Sequence, residues 1–162
     1  MSIVYALATP VAKSAICIFR VSGEGCLDRL SVLFGDVSIP PRTFSVRPFY
    51  NSGLLVDTVG VLVFSGGKSY TGEDSFEVHA HGGLGVMSLI TEAFDSIGFE
   101  EAAPGEFTKR AFLNGKLDLS QAESVHDIIS ANSEESLKIS QENLDGKLSL
   151  AIKKLGEPLW DI

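Results

Sequence analysis

Between Pro104 and Ser136 the chain reads PGEFTKRAFLNGKLDLSQAESVHDIISANSEES, and this run decides where a strand-forming region must stop and a helical one begin. Pro104-Gly105 is a turn signal that interrupts whatever precedes it. Glu106 to Leu113 then places Phe107, Ala111 and Phe112 on one face of a short helix. Asn114-Gly115 ends that helix, since both residue types tolerate the left-handed backbone of a helix C-terminus. Asp118, followed three residues later by Gln121, reads as a capping box opening a second and longer helix. Lys116 is thereby held in a tight connector between two helix ends. On pattern alone, a helix–turn–helix corner with a solvated lysine accounts for the run.

Upstream, short apolar stretches separated by turn residues predict strands at Ile3 to Leu7, Ser14 to Val21, Thr43 to Tyr50 and Leu54 to Phe64, with Asn51-Ser52-Gly53 as a hairpin connection. Gly23 to Gly35 carries Cys26, Leu27, Leu30, Leu33 and Phe34 at helical spacing. Ser75 to His81 alternates: Phe76, Val78 and Ala80 fall on one face, and Ser75, Glu77, His79 and His81 on the other. His81-Gly82-Gly83 reads as a strand-to-helix turn with close backbone approach, leading into an amphipathic helix over Leu84 to Ile97. A short strand near Phe99 to Ala102 completes an α+β arrangement with a mixed sheet. The expected division is residues 1–117 as one domain and 118–162 as the start of a helical one.

Past Leu119 the apolar residues Ala122, Val125, Ile129, Leu137, Leu144, Leu148, Ile152 and Leu155 form a seam, with Gly146 and Gly156-Glu157-Pro158 interrupting or ending it. So long a helical pattern needs a partner helix, from the same polypeptide or another subunit. The large apolar residues of Leu159-Trp160-Asp161-Ile162 suggest truncation or an interface.

A net charge of −8 argues against a broad phosphate-binding face, although a local cationic cleft is compatible with it. Cys17 and Cys26 lack ligand spacing, and Cys17 within an apolar strand reads as a buried reduced thiol. With no signal peptide and no apolar run of membrane length, a cytoplasmic protein that engages no membrane is expected. His79 and His81, two apart on one strand face, invite a metal reading, but no third ligand accompanies them and no metal is expected. Gly67-Lys68-Ser69 mimics the end of a phosphate-binding loop, but Leu62 stands where its first glycine belongs.

The wording of GEFTKRAFLNGKLDLSQAE resembles the signature of the MnmE (TrmE) family of tRNA-modifying GTPases. Further matches are Thr9-Pro10, Ile18 to Gly23, Tyr70-Thr71-Gly72-Glu73-Asp74, Glu77 and His81-Gly82-Gly83, in the order of that family's N-terminal domain and the beginning of its helical domain. The resemblance implies a folate-binding fold like that of aminomethyltransferases, and a homodimer. It implies that Arg20, Glu77 and Lys116 bind a 5-formyl- or methylene-tetrahydrofolate. Glu77 would accept the adjacent N–H groups of the pterin, as a carboxylate accepts a guanidinium, and the cations would suit the glutamyl tail.

The family's implied reaction, with an MnmG (GidA)-type FAD protein, modifies carbon five of a wobble uridine in tRNA. GTP, potassium and magnesium would belong to a GTPase domain absent from this sequence, so this chain is expected neither to bind nor to hydrolyse GTP and to hold no catalytic residue. Arg110 is a weaker candidate that could equally be structural, and Arg20 could instead pair with a carboxylate such as Glu24. Val11 to Ala15 departs from the family's glycine- and arginine-containing loop. That departure leaves two alternatives beside the folate reading: a dimerisation module with a degenerate pocket, or an independent one-carbon transferase, for which no general base is evident.

Overall fold

Alternating apolar and polar residues in the first hundred positions become the two faces of one sheet. The computed structural model describes residues 2–36 and 38–150. Chain contacts divide it into two compact units, Met1–Pro104 and a second beginning at Gly105.

In the first unit, strands β1 (Val4–Leu7), β2 (Ser14–Ser22), β3 (Ser45–Asn51), β4 (Leu54–Phe64), β5 (Ser75–Gly82) and β6 (Glu100–Glu101) form a sheet in the order β3-β4-β5-β2-β1-β6. Neighbours are antiparallel except β1 and β6, which run parallel, so the sheet is mixed and the fold α+β as expected. One face carries Cys17, Phe19, Val21, Val59, Val61, Val63, Phe76, Val78 and Ala80, all buried. Against it packs α2 (Leu84–Ser96) through Met87, Ile90, Ala93 and Phe94. Phe94 meets Phe19, Phe49 and Phe76 edge-on and stacks on Phe99 with centroids 5.8 Å apart. Truncating that ring to alanine would open a cavity costing about 3–5 kcal/mol.

The helix expected over Gly23 to Gly35 is shorter and in two pieces: a 3-10 turn at Cys26–Arg29 followed by α1 (Leu30–Phe34). Neither piece has a side-chain cap, and Gly35 at φ 76° stops the second. The β3–β4 hairpin turns through Ser52 and Gly53 at φ 50° and 84°, the paired positive angles of a tight hairpin turn that matches strand twist. Pro48 lies in β3, an edge strand, where a missing N–H is tolerated.

In the second unit, α3 (Glu106–Leu113) ends in paired bonds from the amides of Gly115 to Phe112 and of Lys116 to Ala111, with Gly115 at φ 69°. Asn114, in contrast, keeps a negative φ of −87°. The Asp118–Gln121 capping box opens α4 (Leu119–Ser130). The seam does not run on as one long helix. Ala131 turns extended at φ −64°, ψ 126°, and a second capping box, Ser133 with Ser136, starts α5 (Glu134–Leu144). Gln121 Nε2 donates to the Leu144 carbonyl at 2.8 Å and Ser149 Oγ to Asp118 at 2.6 Å, so the start of α4 meets the end of α5. The pair is an antiparallel hairpin, but its buried positions are Ser124 and Ser140, while Ile129 of the expected seam and Ile139 stay exposed. Gly146, at φ 84°, interrupts the helical backbone as expected. The expectations for Ile152, Leu155 and everything from Gly156 onward lie outside the described residues.

Candidate functional site

Residues 20 and 77 are register partners on β2 and β5, so their side chains emerge side by side on the sheet face opposite α2. Arg20 Nε and Nη2 both donate to Oε1 of Glu77, at 3.0 and 2.8 Å. The carboxylate that Arg20 engages is thus Glu77, 57 positions away in sequence, and the Glu24 pairing considered from sequence is not the contact that orients it. The second oxygen, Oε2, stands 3.4 Å from Nε2 of His79, two residues along the same strand. Glu77 is mostly shielded, with 17 % of its side chain exposed, while Arg20 retains 35 %. Removing either partner would leave the other charge half-buried, which costs more than an exposed pair contributes.

Aromatic groups flank this polar strip. The Tyr70 ring centroid lies 5.7 Å from the Arg20 guanidinium carbon, within cation–π range. On the other side, the rings of Phe44 and His79 meet in a T-shaped contact with centroids 5.5 Å apart. Phe44 reaches it because the strand position opposite His79 is Gly60, whose absent side chain leaves room for the ring.

Tyr70 belongs to a loop anchored from below by buried hydroxyls. Ser22 donates to the Glu73 carboxylate at 2.8 Å and shares a 2.7 Å bond with Thr71. Ser69 donates to the Glu73 carbonyl. Because the Ser22 proton is committed to Glu73, Thr71 is the donor to Ser22. The Gly66 amide closes the loop on Asp74 at 3.1 Å. Ser69, the last residue of the phosphate-loop lookalike, therefore has its hydroxyl inside the network.

Further along the same strands, Asp57 accepts the His81 backbone N–H at 2.9 Å and lies 2.8 Å from His81 Nδ1. Burial alone would raise the Asp57 carboxyl, but the His81 amide, the His81 ring and the Thr58 amide together hold it below the usual carboxylate range. His79 and His81 thus face different carboxylates, and among the described residues no three His, Cys, Asp or Glu side chains converge. Cys17 and Cys26 are free and buried. Burial raises the Cys17 thiol and pushes that of Cys26 up to about 12, so neither is poised as a nucleophile.

Of the residues singled out from sequence, the structure brings Arg20 and Glu77 together. Lys116 lies in the second unit, just past the end of α3, with an exposed side chain. Arg110, also there, is buried and bonds Glu106 one turn earlier at 3.1 Å, which holds the Glu106 carboxyl below its usual value. Sequence reasoning gave no role to Tyr70, Phe44 or the Ser22–Thr71–Glu73 network. The Tyr70 to Asp74 block was the available signal for the loop; nothing local signals Phe44.

Residues 3–116 match the family described as GTP-binding protein TrmE N-terminus. The chain is 41 % identical over 150 residues to tRNA modification GTPase MnmE of Neorickettsia sennetsu, covering 92 % of this chain and 27 % of that protein. It is 43 % identical over 158 residues to the protein of the same name from Phenylobacterium zucineum, covering 98 % and 36 %. With that from Thermotoga petrophila it shares 43 % over 163 residues, covering 100 % and 36 %. The chain spans about a third of the length of the curated relatives it matches.

Proposed function

The chain belongs to the TrmE N-terminal family, and from that membership we propose that it is the tetrahydrofolate-binding, dimer-forming portion of a cytoplasmic tRNA-modifying GTPase. With an MnmG-type FAD protein, the whole assembly would modify carbon five of the wobble uridine of certain tRNAs. GTP, potassium and magnesium would be handled by a GTPase domain outside this sequence. The folate, 5-formyl or methylene, would supply the one-carbon unit.

The observation that carries the folate reading is the Arg20–Glu77 pair set between Tyr70 and Phe44. A mostly shielded carboxylate, with one oxygen taken by a guanidinium and the other bordered by an imidazole, is an acceptor suited to the adjacent N–H donors of a pterin's amino-amide edge. Tyr70 and Phe44 offer aromatic surface to a planar ring. Lys116 is assigned to the acidic tail on the strength of the family match alone.

A second reading, a dimerisation module without folate, is favoured by the exposure of Val11 and Ile16 in and beside the altered loop, at 78 % and 59 %. Calorimetric titration with 5-formyltetrahydrofolate decides between them. Binding that disappears in Glu77→Ala supports the folate reading; a folded dimer that binds none overturns it in favour of the second. Sedimentation showing only monomer at high concentration would overturn the dimer in both.

A further inference from the structure

We propose that His79 is a positioning residue for Glu77, and that ligand capture by Glu77 is coupled to loss of a proton from the His79 imidazole; the proposal rests on the folate reading of the same site. Arg20 occupies Oε1 of Glu77 with its Nε and Nη2 N–H groups, which leaves Oε2 as the oxygen facing His79. His79 Nε2 is buried, 3.4 Å from Oε2, and makes no hydrogen bond among the described residues. The imidazole is held there by its neighbours. Ile18 is its partner on β2, Gly60 its partner on β4, and the Phe44 ring makes a T-shaped contact with it.

The groups around that ring fix the sign of the coupling. Glu77 faces it from its own strand, and Arg20 reaches it from β2 only through Glu77. From β4 the partner is Gly60, while the charged residue of that strand, Asp57, is engaged by His81. Phe44, in contact with the ring, carries no charge. A protonated imidazole has one strong attraction in this setting, the Oε2 oxygen. A ligand that donates adjacent N–H groups to Glu77 competes for that oxygen and covers the ring. Competition and desolvation both disfavour the imidazolium. Ligand binding therefore favours neutral His79, and by linkage, affinity falls as pH falls.

The test is calorimetric titration of the 162-residue chain with 5-formyltetrahydrofolate between pH 8 and pH 5.5, in the parent, His79→Gln and His81→Asn. Titration of the ligand itself is common to all three. The parent Kd is expected to rise several-fold more toward pH 5.5 than that of His79→Gln, and His81→Asn is expected to keep the parent profile. Equal pH dependence in the parent and His79→Gln overturns the proposal, as does a dependence that disappears in His81→Asn instead. Should circular dichroism show His79→Gln unfolded, His79→Asn replaces it with the same criteria. A folded parent that binds nothing at pH 8 overturns the folate reading and this proposal together, whereas binding with an unchanged pH profile overturns the proposal alone.

Discussion

The ring of Phe44 occupies the space in which a Cβ on Gly60 would have to lie. Gly60 is also the strand partner of His79, so a missing side chain on β4 is what lets an aromatic ring reach the imidazole on β5.

Gly60→Ala should displace that ring at little cost. Phe44 is 58 % exposed and its far end is the part in conflict, so the expected loss is about 1 kcal/mol or less. The His79 ring-proton resonances should move as the aromatic ring departs. A large fall in melting temperature would show instead that Phe44 is fixed in place.

Gly82→Ala should be far more damaging. A Cβ there would lie 2.5 Å from the backbone carbonyl oxygen of Ser14, and paired strands have no room to separate. The expected loss is about 1–3 kcal/mol, read from urea unfolding. Parent-like stability would mean that β2 shifts freely at its start.

Thr71→Val removes the hydroxyl that donates to Ser22 while keeping the side-chain shape. Ser22 and Thr71 are both fully buried, so the loss should be about 1–3 kcal/mol by chemical denaturation. Tyr70 sits next in the chain. Loss of its contact with Arg20 should appear as a change in tyrosine fluorescence or ring shifts, and an unaltered Tyr70 signal would separate the ring from the network.

Acid should weaken the fold partly through Asp57. Its folded carboxyl titrates below the ordinary value, so its stabilising contribution is complete above the unfolded value, about 3.9, and is lost as pH falls through the folded one. Asp57→Asn should therefore be destabilised relative to the parent at pH 7 and approach it near pH 2. A constant difference across that range would assign the effect to packing.

Local signals were legible in proportion to how local their physics is. Both ends of α3 and the Asp118–Gln121 box follow from residues within a few positions of one another, and the structure reproduces them. The break between α4 and α5 escaped because its cap, Ser133 with Ser136, lacks the Glu or Gln that marks a strong box, and no glycine or proline stands at 131–133. Glu77 and Arg20 were each recognisable as single residues from the family wording. Their contact was not, because it depends on the register of strands far apart in sequence, and Glu24 offered a nearer carboxylate. Phe44 over Gly60 depends on the same unseen register.

An isolated carboxylate is symmetric about its own axis, and its two oxygens cannot be told apart. Glu77 has lost that symmetry: a guanidinium claims one oxygen and an imidazole borders the other. A planar partner laying two N–H groups against it would meet unlike neighbours at its two ends and have only one favourable way round. The sheet register that puts residue 20 opposite residue 77 thereby gives the site a handedness before any partner arrives.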